Sequence, residues 1–311
     1  MLDVFLKTLP FFGLIGLGYA AARSRFFSDE ASASLTKFVF YFALSAMLFR
    51  FSANLRFDEI FEPRLAAAYL WGTAFTWGIG MMVAFLRGLD LSTASIEAQC
   101  GAIGNTGFLG VPMLALLLGQ EAVGPIILIL AIDLIVFSSL LTLMVTGARE
   151  GRMHLAIVKS LAIGLVKNPM IVSIALGLMV SASGLPVPEV ANSFLTTLGN
   201  AATPGALFAI GASLASKSAE RMQIAAWLSF TKLILHPLFV GLGVYVFFPV
   251  DAYRAAVAVS AASLPVAGNV FILAQHYGIA PQRVSASILI STAVSILTVS
   301  AVIATVTGWI E

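Results

Sequence analysis

Charge is scarce in this sequence: Asp, Glu, Lys and Arg make up 10% of its 311 residues, against 59% hydrophobic residues and a mean hydropathy of +0.99. A soluble domain carries roughly 25% charge, so the composition excludes a water-facing globular core and implies an integral membrane protein. Cysteine is reduced to Cys100, which excludes an intramolecular disulfide and a cysteine metal cluster and leaves it as a small packing residue in a crowded helix. The histidines His154, His236 and His276 stand too far apart to suggest a metal site by spacing, and His154 and His276 are expected near solvent. There is no Gly-Lys-Ser/Thr phosphate loop, no His-Glu-x-x-His and no Gly-x-Ser-x-Gly elbow, which argues against ATP-driven transport by this chain alone and against common hydrolytic sites. No long polar stretch is present to hold a soluble domain, and the net charge of +2 gives no reason to expect nucleic acid. The expectation is therefore a protein that is not an enzyme, without cofactor or metal.

What is present is a succession of apolar runs. Ten spans are predicted, at about 2–22, 32–53, 64–86, 95–118, 122–147, 168–184, 190–215, 224–248, 253–276 and 284–308, separated by Pro, Gly or charge as at Glu62-Pro63 and Pro249-Val-Asp251. The first run has only Lys7 before it and Arg23 and Arg25 after it, which reads as a retained helix rather than a signal peptide. Alternate loops, starting with the first, carry ten Lys/Arg residues (Arg23, Arg25, Arg87, Arg149, Arg152, Lys159, Lys167, Lys217, Arg221, Arg283), and the opposite side carries five (Lys7, Arg50, Arg56, Arg64, Arg254). The positive side faces the cytoplasm, so both termini are expected outside.

Two of the spans are unsuited to being regular helices. Gly101-Ala-Ile-Gly-Asn-Thr-Gly-Phe-Leu-Gly-Val-Pro112 places four glycines, Asn105, Thr106 and Pro112 where a membrane helix should be most regular. Pro112 has no N–H for the Phe108 carbonyl. Irregular backbone at membrane depth is tolerated only against protein or a watery cavity. Ser263-Leu-Pro-Val-Ala-Gly-Asn269 is a second such stretch. The long loop 148–166 divides the chain into halves, 1–147 and 167–311, each with five spans. Pro169 stands 159 residues after Pro10, and Phe208 of Pro204-Gly-Ala-Leu-Phe208 stands 159 after Phe49 of Ser45-Ala-Met-Leu-Phe49. The same offset lays Gly104–Pro112 over Ser263–Phe271. Because five is odd, the second half enters the membrane from the opposite side. Inverted repeats with interrupted helices at matching places are the pattern of secondary transporters, with the site where the breaks meet.

Gly104-Asn-Thr-Gly-Phe-Leu-Gly-Val-Pro112, Thr203-Pro-Gly-Ala-Leu-Phe-Ala-Ile-Gly211 and Ser263-Leu-Pro-Val-Ala-Gly-Asn-Val-Phe-Ile-Leu-Ala274 resemble the signatures of the auxin efflux carrier family. Its bacterial members include proteins named as malonate and malate permeases. The resemblance runs along the whole chain and implies an all-α membrane protein of ten transmembrane helices in a 5+5 inverted repeat. The broken fourth and ninth helices would cross inside a mobile transport domain, about 64–147 and 224–311. Helices one, two, six and seven, about 1–55 and 168–216, would form a scaffold that is often dimeric. Members differ in substrate and in ion coupling.

Asn105 and Asn269 offer amide donors that bind a carboxylate without adding charge, and helix starts at the breaks favour anions. By resemblance these asparagines, with Pro112 and Pro265, frame the substrate site; the bland alternative is that they satisfy freed backbone carbonyls. Thr106 and Gln275 are weaker candidates. Lys232 lies mid-span in Phe230-Thr-Lys-Leu-Ile-Leu-His-Pro237, on one helix face with His236. A lysine at that depth costs roughly 2.5–3.5 kcal/mol unless paired or facing a cavity. Asp133 is the acid at comparable depth. Either the two form a structural ion pair, or Lys232 neutralises an anionic substrate while Asp133 binds the coupling ion, a proton or else sodium. His236 is a candidate proton relay or a packing histidine. Ser45, Asn200 and Thr203 are candidates for the fixed wall opposite the crossing, in a seventh span that Pro204 should kink. Thr292, at the same offset of 159, is the counterpart of Asp133.

The expected protein is a secondary transporter of a small organic anion in the cytoplasmic membrane, with a dicarboxylate such as malonate or malate as substrate. Two rivals are an uncoupled uniporter of an aromatic carboxylate such as indole-3-acetate, and a membrane sensor that binds its ligand at the same crossing.

Overall fold

The computed structural model describes residues 2–55, 62–150, 162–184, 186–215 and 222–308. Arg56, Arg152, His154, Lys159, Lys217, Arg221 and the centre of the loop 148–166 lie outside them. The chain is built from the helices α1 (Leu2–Arg23), α2 (Asp29–Asn54), α3 (Pro63–Leu86), α4 (Leu91–Ala102), α5 (Thr106–Leu118), α6 (Gln120–Arg149), α7 (Pro169–Ser183), α8 (Glu189–Ala215), α9 (Met222–Phe247), α10 (Ala252–Ala262), α11 (Gly268–Tyr277) and α12 (Pro281–Thr307). Among the described residues there is no β-strand, only one isolated antiparallel bridge, Gly104 with Val266. Among the described residues, seven helices are long and apolar enough to cross a membrane: α1 from Phe5 onward, α2, α3, α6, α8, α9 and α12. The protein is therefore an all-helical integral membrane protein.

The helix starts follow from local chemistry. Glu62, Asp90, Asn168 and Asp251 each accept backbone N–H groups at the starts of α3, α4, α7 and α10, and proline stands in the first turn of α3 and α7, where its missing N–H leaves no bond unmade. The Thr93 hydroxyl and N–H hold the Asp90 carboxyl below its ordinary value. That cap makes α4 begin at Leu91, four residues before the expected start of the fourth span.

The fourth expected span is realised as α4 and α5, and the ninth as α10 and α11. The first break lies at residues 103–105 rather than at Pro112. Pro112 falls near the start of a helical stretch that follows a widened turn over Thr106–Gly110, closed by the Val111 N–H on the Thr106 carbonyl. The wider turn accommodates the missing N–H, so the proline stays helical. In α8 the helical run is interrupted at Ala201, three residues before Pro204, which is the expected kink.

α1 packs along the second half of α8, and α2 packs along α7. Both contacts are backbone to backbone. Gly18 lies against the Phe208 carbonyl and Gly177 against the Phe49 carbonyl, so closely that a Cβ on either glycine would overlap it. Residue 177 is 159 beyond 18, and 208 is 159 beyond 49, so the offset read from the sequence also relates the two contacts. α3 packs against α4 and α9, and α9 against α12.

Candidate functional site

The two breaks meet. The Asn105 N–H donates to the Pro265 carbonyl at 2.8 Å, and the Ala267 N–H donates to the Ile103 carbonyl at 3.1 Å, so the extended links satisfy each other's backbone groups in the bundle interior. α5 and α11 both start here, and neither start has a side-chain cap, unlike those of α3, α4, α7 and α10. The positive ends of two helix dipoles are thus left for something other than the protein's own side chains.

A cavity of about 370 Å³ lies beside the crossing. Its crossing wall includes Gly104, Asn105, Gly268 and Asn269; α6 contributes Asp133 and Ser138; Asn168 and Met170 stand at the start of α7. The facing wall is α2, through Thr36, Lys37, Phe40 and Tyr41. The Oδ1 atom of Asn269 is buried without a hydrogen-bond partner. A smaller space of about 140 Å³ reaches the same two asparagines from α8 and α12, where Ser213 and Thr292 line it. Asp133 and Thr292, the pair related by 159 residues, thus flank the crossing in separate cavities.

Helices around this point are locally widened. Such turns cover Val39–Ala43 of α2, Thr106–Gly110 of α5, Asp133–Phe137 of α6 and Thr231–Leu235 of α9. Widened turns re-aim side chains and recur at functional sites. Two of them here begin at or contain the buried ionisable residues Asp133 and Lys232.

Asp133 is 2% exposed and is held by two hydroxyl donors, Tyr69 of α3 at 2.9 Å and Thr106 of α5 at 3.3 Å. Lys232 is fully buried and donates to the Ala262 carbonyl at the end of α10, where a cation complements the dipole. Its Nζ also lies 3.0 Å from Nδ1 of His236, whose Nε2 lies 2.9 Å from the Thr73 hydroxyl. Of the two arrangements open to Asp133 and Lys232, the direct ion pair is absent: no N–O contact within 4.0 Å joins them. Tyr69 and Thr73, one turn apart on α3, occupy the acid and the histidine instead. Lys232 does not line the cavity but lies behind Gly104, where an added Cβ would stand 3.2 Å from its Nζ.

Of the residues singled out from sequence, Asn105, Asn269 and Asp133 share the cavity, with Thr106 directly behind as a ligand of Asp133. Pro265 supplies a carbonyl to the crossing, whereas Pro112 is half-buried and does not line the cavity. Ser45, Asn200 and Thr203 are not brought to either space: the Ser45 hydroxyl bonds the Phe40 carbonyl and Asn200 is exposed. The α2 wall lies nearer the helix start, at Thr36, Lys37, Phe40 and Tyr41, and Ser45 follows the widened turn Val39–Ala43. Gln275 and His276 are exposed, and Cys100 is buried in α4.

Four residues with polar roles were not singled out. Tyr69 and Thr73 could have been recognised as polar residues one turn apart in an apolar span. Lys37 was hidden by falling inside the second span. Glu97 of α4 is buried between two arginines, Arg87 Nη1 and Arg283 Nη1, each at 2.6 Å. It ties the end of α3 to the start of α12.

Comparisons with known proteins place the chain among membrane transporters. A family model described as "Membrane transport protein" matches residues 3–303. The "Putative malonate transporter" of Rhizobium meliloti (strain 1021) is 32% identical over 301 residues, covering 94% of this chain and 92% of the relative. The "Uncharacterized transporter YfdV" of Escherichia coli (strain K12) is 25% identical over 297 residues, 91% of each chain. The chain is a multi-pass membrane protein and belongs to the membrane transport protein family, that of the auxin efflux carriers.

Proposed function

We propose that this protein is a secondary active transporter of a small organic anion, with a dicarboxylate such as malonate or malate as substrate, working by alternating access with proton coupling through Asp133. The observation that carries this reading is the sharing of one cavity by Asp133 with Asn105, Asn269 and the uncapped start of α11. The asparagine amides and helix N–H groups favour a carboxylate. An ionised Asp133 in the same enclosure repels it, because charges interact several-fold more strongly there than in water. Anion binding is therefore favoured when Asp133 carries a proton, which couples the two in one direction. The name of the Rhizobium relative supports malonate as the first substrate to try.

In this reading α1, α2, α7 and α8 are the scaffold, through which a homodimer forms, and the crossing moves against them with α3, α6, α9 and α12. The loop charges orient the protein in the cytoplasmic membrane with both termini outside, so the cavity mouth near Lys37 and Asn168 faces the cytoplasm. The test is uptake of labelled malonate into proteoliposomes with and without a pH gradient, repeated with sodium. Accumulation that follows the pH gradient supports the reading. Accumulation that follows sodium instead removes the proton, and no uptake of any small carboxylate removes the transporter of this class.

An uncoupled carrier of an aromatic carboxylate is the second reading. It is favoured by the aromatic side of the cavity, where Phe40 and Phe108 stack with centroids 6.2 Å apart beside Tyr41. Competition of indole-3-acetate with malonate, and its gradient-independent uptake, would select it.

A further inference from the structure

We propose that Lys232 supplies one fixed buried positive charge for which Asp133 and the substrate carboxylate take turns as counter-ion, so that a dicarboxylate in its singly charged form, such as hydrogen malonate, and a proton cross together without net charge movement. The proposal rests on the transport reading above and adds what the buried lysine does in it.

Lys232 is fully buried, and both of its hydrogen-bond partners, the Ala262 carbonyl and His236, are without negative charge. Its charge is therefore not cancelled where it sits. Glu97 is engaged by Arg87 and Arg283, which leaves Asp133, among the described residues, as the buried acid without a cation in contact. The two are coupled through a medium of low dielectric but are kept from touching. Tyr69 holds the carboxylate and Thr73 holds His236, with the Tyr69 and His236 rings 5.7 Å apart.

That separation is the device. A contact pair would be exclusive, whereas a charge balanced at a distance accepts a different anion placed at a similar distance. The crossing offers such a place. Gly104 forms part of the cavity wall, and Lys232 lies immediately behind it. A carboxylate held by Asn105 and Asn269 is thus separated from the ammonium by one layer of backbone, with no side chain on Gly104 between them.

In the empty carrier, Lys232 is balanced by ionised Asp133. With substrate bound, two anions would surround one cation in a space that water screens poorly, and protonation of Asp133 removes the excess. The moving domain then has the same net charge in both states. The titratable groups that face Asp133 are Tyr69 from α3, Lys232 and His236 from α9, and, across the cavity, Lys37 and Tyr41 from α2. Thr106 supplies the second hydroxyl. When Asp133 ceases to accept from it, that hydroxyl has the Gly104 carbonyl, 3.5 Å away, as its alternative acceptor, so the state of the acid is felt at the break itself.

The experiment is malonate uptake into proteoliposomes with the membrane potential clamped by valinomycin and potassium. With the pH gradient held constant, accumulation is expected to change less than about twofold between zero and 100 mV. A carrier that moves one net charge shifts its accumulation ratio by about fifty-fold over that range, and such a shift overturns the proposal while leaving the transport reading intact. A wild-type protein that takes up neither malonate nor any other small carboxylate under any gradient overturns the transport reading and this proposal with it.

Two variants separate charge balance from a structural role for the lysine. Asp133→Asn is expected to lose the coupling of malonate accumulation to the pH gradient, and the malonate exchange it still shows is the reference for the second variant. The double variant Asp133→Asn/Lys232→Met removes both charges, so it leaves no unpaired buried ion. It is expected to elute as folded protein and to lose exchange at least tenfold. Exchange by the double variant equal to that of Asp133→Asn overturns the proposal.

Discussion

The phenolic hydroxyl of Tyr69 donates to the carboxylate of Asp133 across 2.9 Å, in a place where neither residue meets solvent. This bond joins α3 to α6 beneath the cavity and decides which way the acid points. Hydrogen bonds to charged groups contribute about 1.5–3 kcal/mol. Tyr69→Phe is therefore expected to destabilise the folded protein by about that much, read as a lower thermal midpoint in detergent. Gradient-driven uptake should fall with it. An unchanged midpoint would mean that Thr106, the other donor at 3.3 Å, suffices.

Asn105 and Asn269 are expected to differ from ordinary buried asparagines in being dispensable for folding. Asn105→Ala should abolish malonate binding while leaving the size-exclusion profile unchanged. Asn269→Asp places a second carboxylate beside Asp133 and should reduce anion uptake at least about tenfold, the equivalent of 1.4 kcal/mol. Normal malonate binding by both variants, measured by calorimetry, would remove the crossing as the site.

The ion pairs of this protein are not equal. Glu97 is 2% exposed and serves two arginines, whose side chains are 30% and 16% exposed. Removing one partner of a fully buried pair costs about 3–5 kcal/mol, and solvent at Arg87 should bring Glu97→Gln to the lower end. Asp251 and Arg254 are 49% and 36% exposed, and breaking such a surface pair costs about 0–1 kcal/mol. Thermal midpoints of Glu97→Gln and Arg254→Gln are expected to differ accordingly, with the first clearly lower.

The matched backbone contacts make a symmetric expectation. At Gly18 and Gly177 a side chain has no room to relax, because the neighbour is the carbonyl of Phe208 or of Phe49 rather than a flexible tip. Gly18→Val and Gly177→Val should each cost at least the about 1–3 kcal/mol typical of overpacking. Gly13, which has open space around it, should accept Val with little change. Equal midpoints for the three variants would show that the helices separate freely.

Much of this protein is determined by short stretches of sequence. The helices stand near their expected positions because a membrane-length apolar run and an acid, Asn or Pro at its start are local signals, as at Glu62-Pro63 and Asn168-Pro169. The breaks were legible for the same reason, since Gly, Asn and Pro act on their own backbone. Lys232 and His236 share a face because four residues make one turn.

Which side chains meet across helices was decided only by the tertiary structure. Asp133 takes Tyr69 and Thr106 rather than Lys232, Lys37 lines the cavity in place of Ser45, and Glu97 is drawn between Arg87 and Arg283. A membrane helix that is apolar all round does not announce its inward face. Its rotation is set by close backbone contacts such as Gly18 on Phe208 and by widened turns such as Asp133–Phe137, neither of which hydrophobic periodicity records.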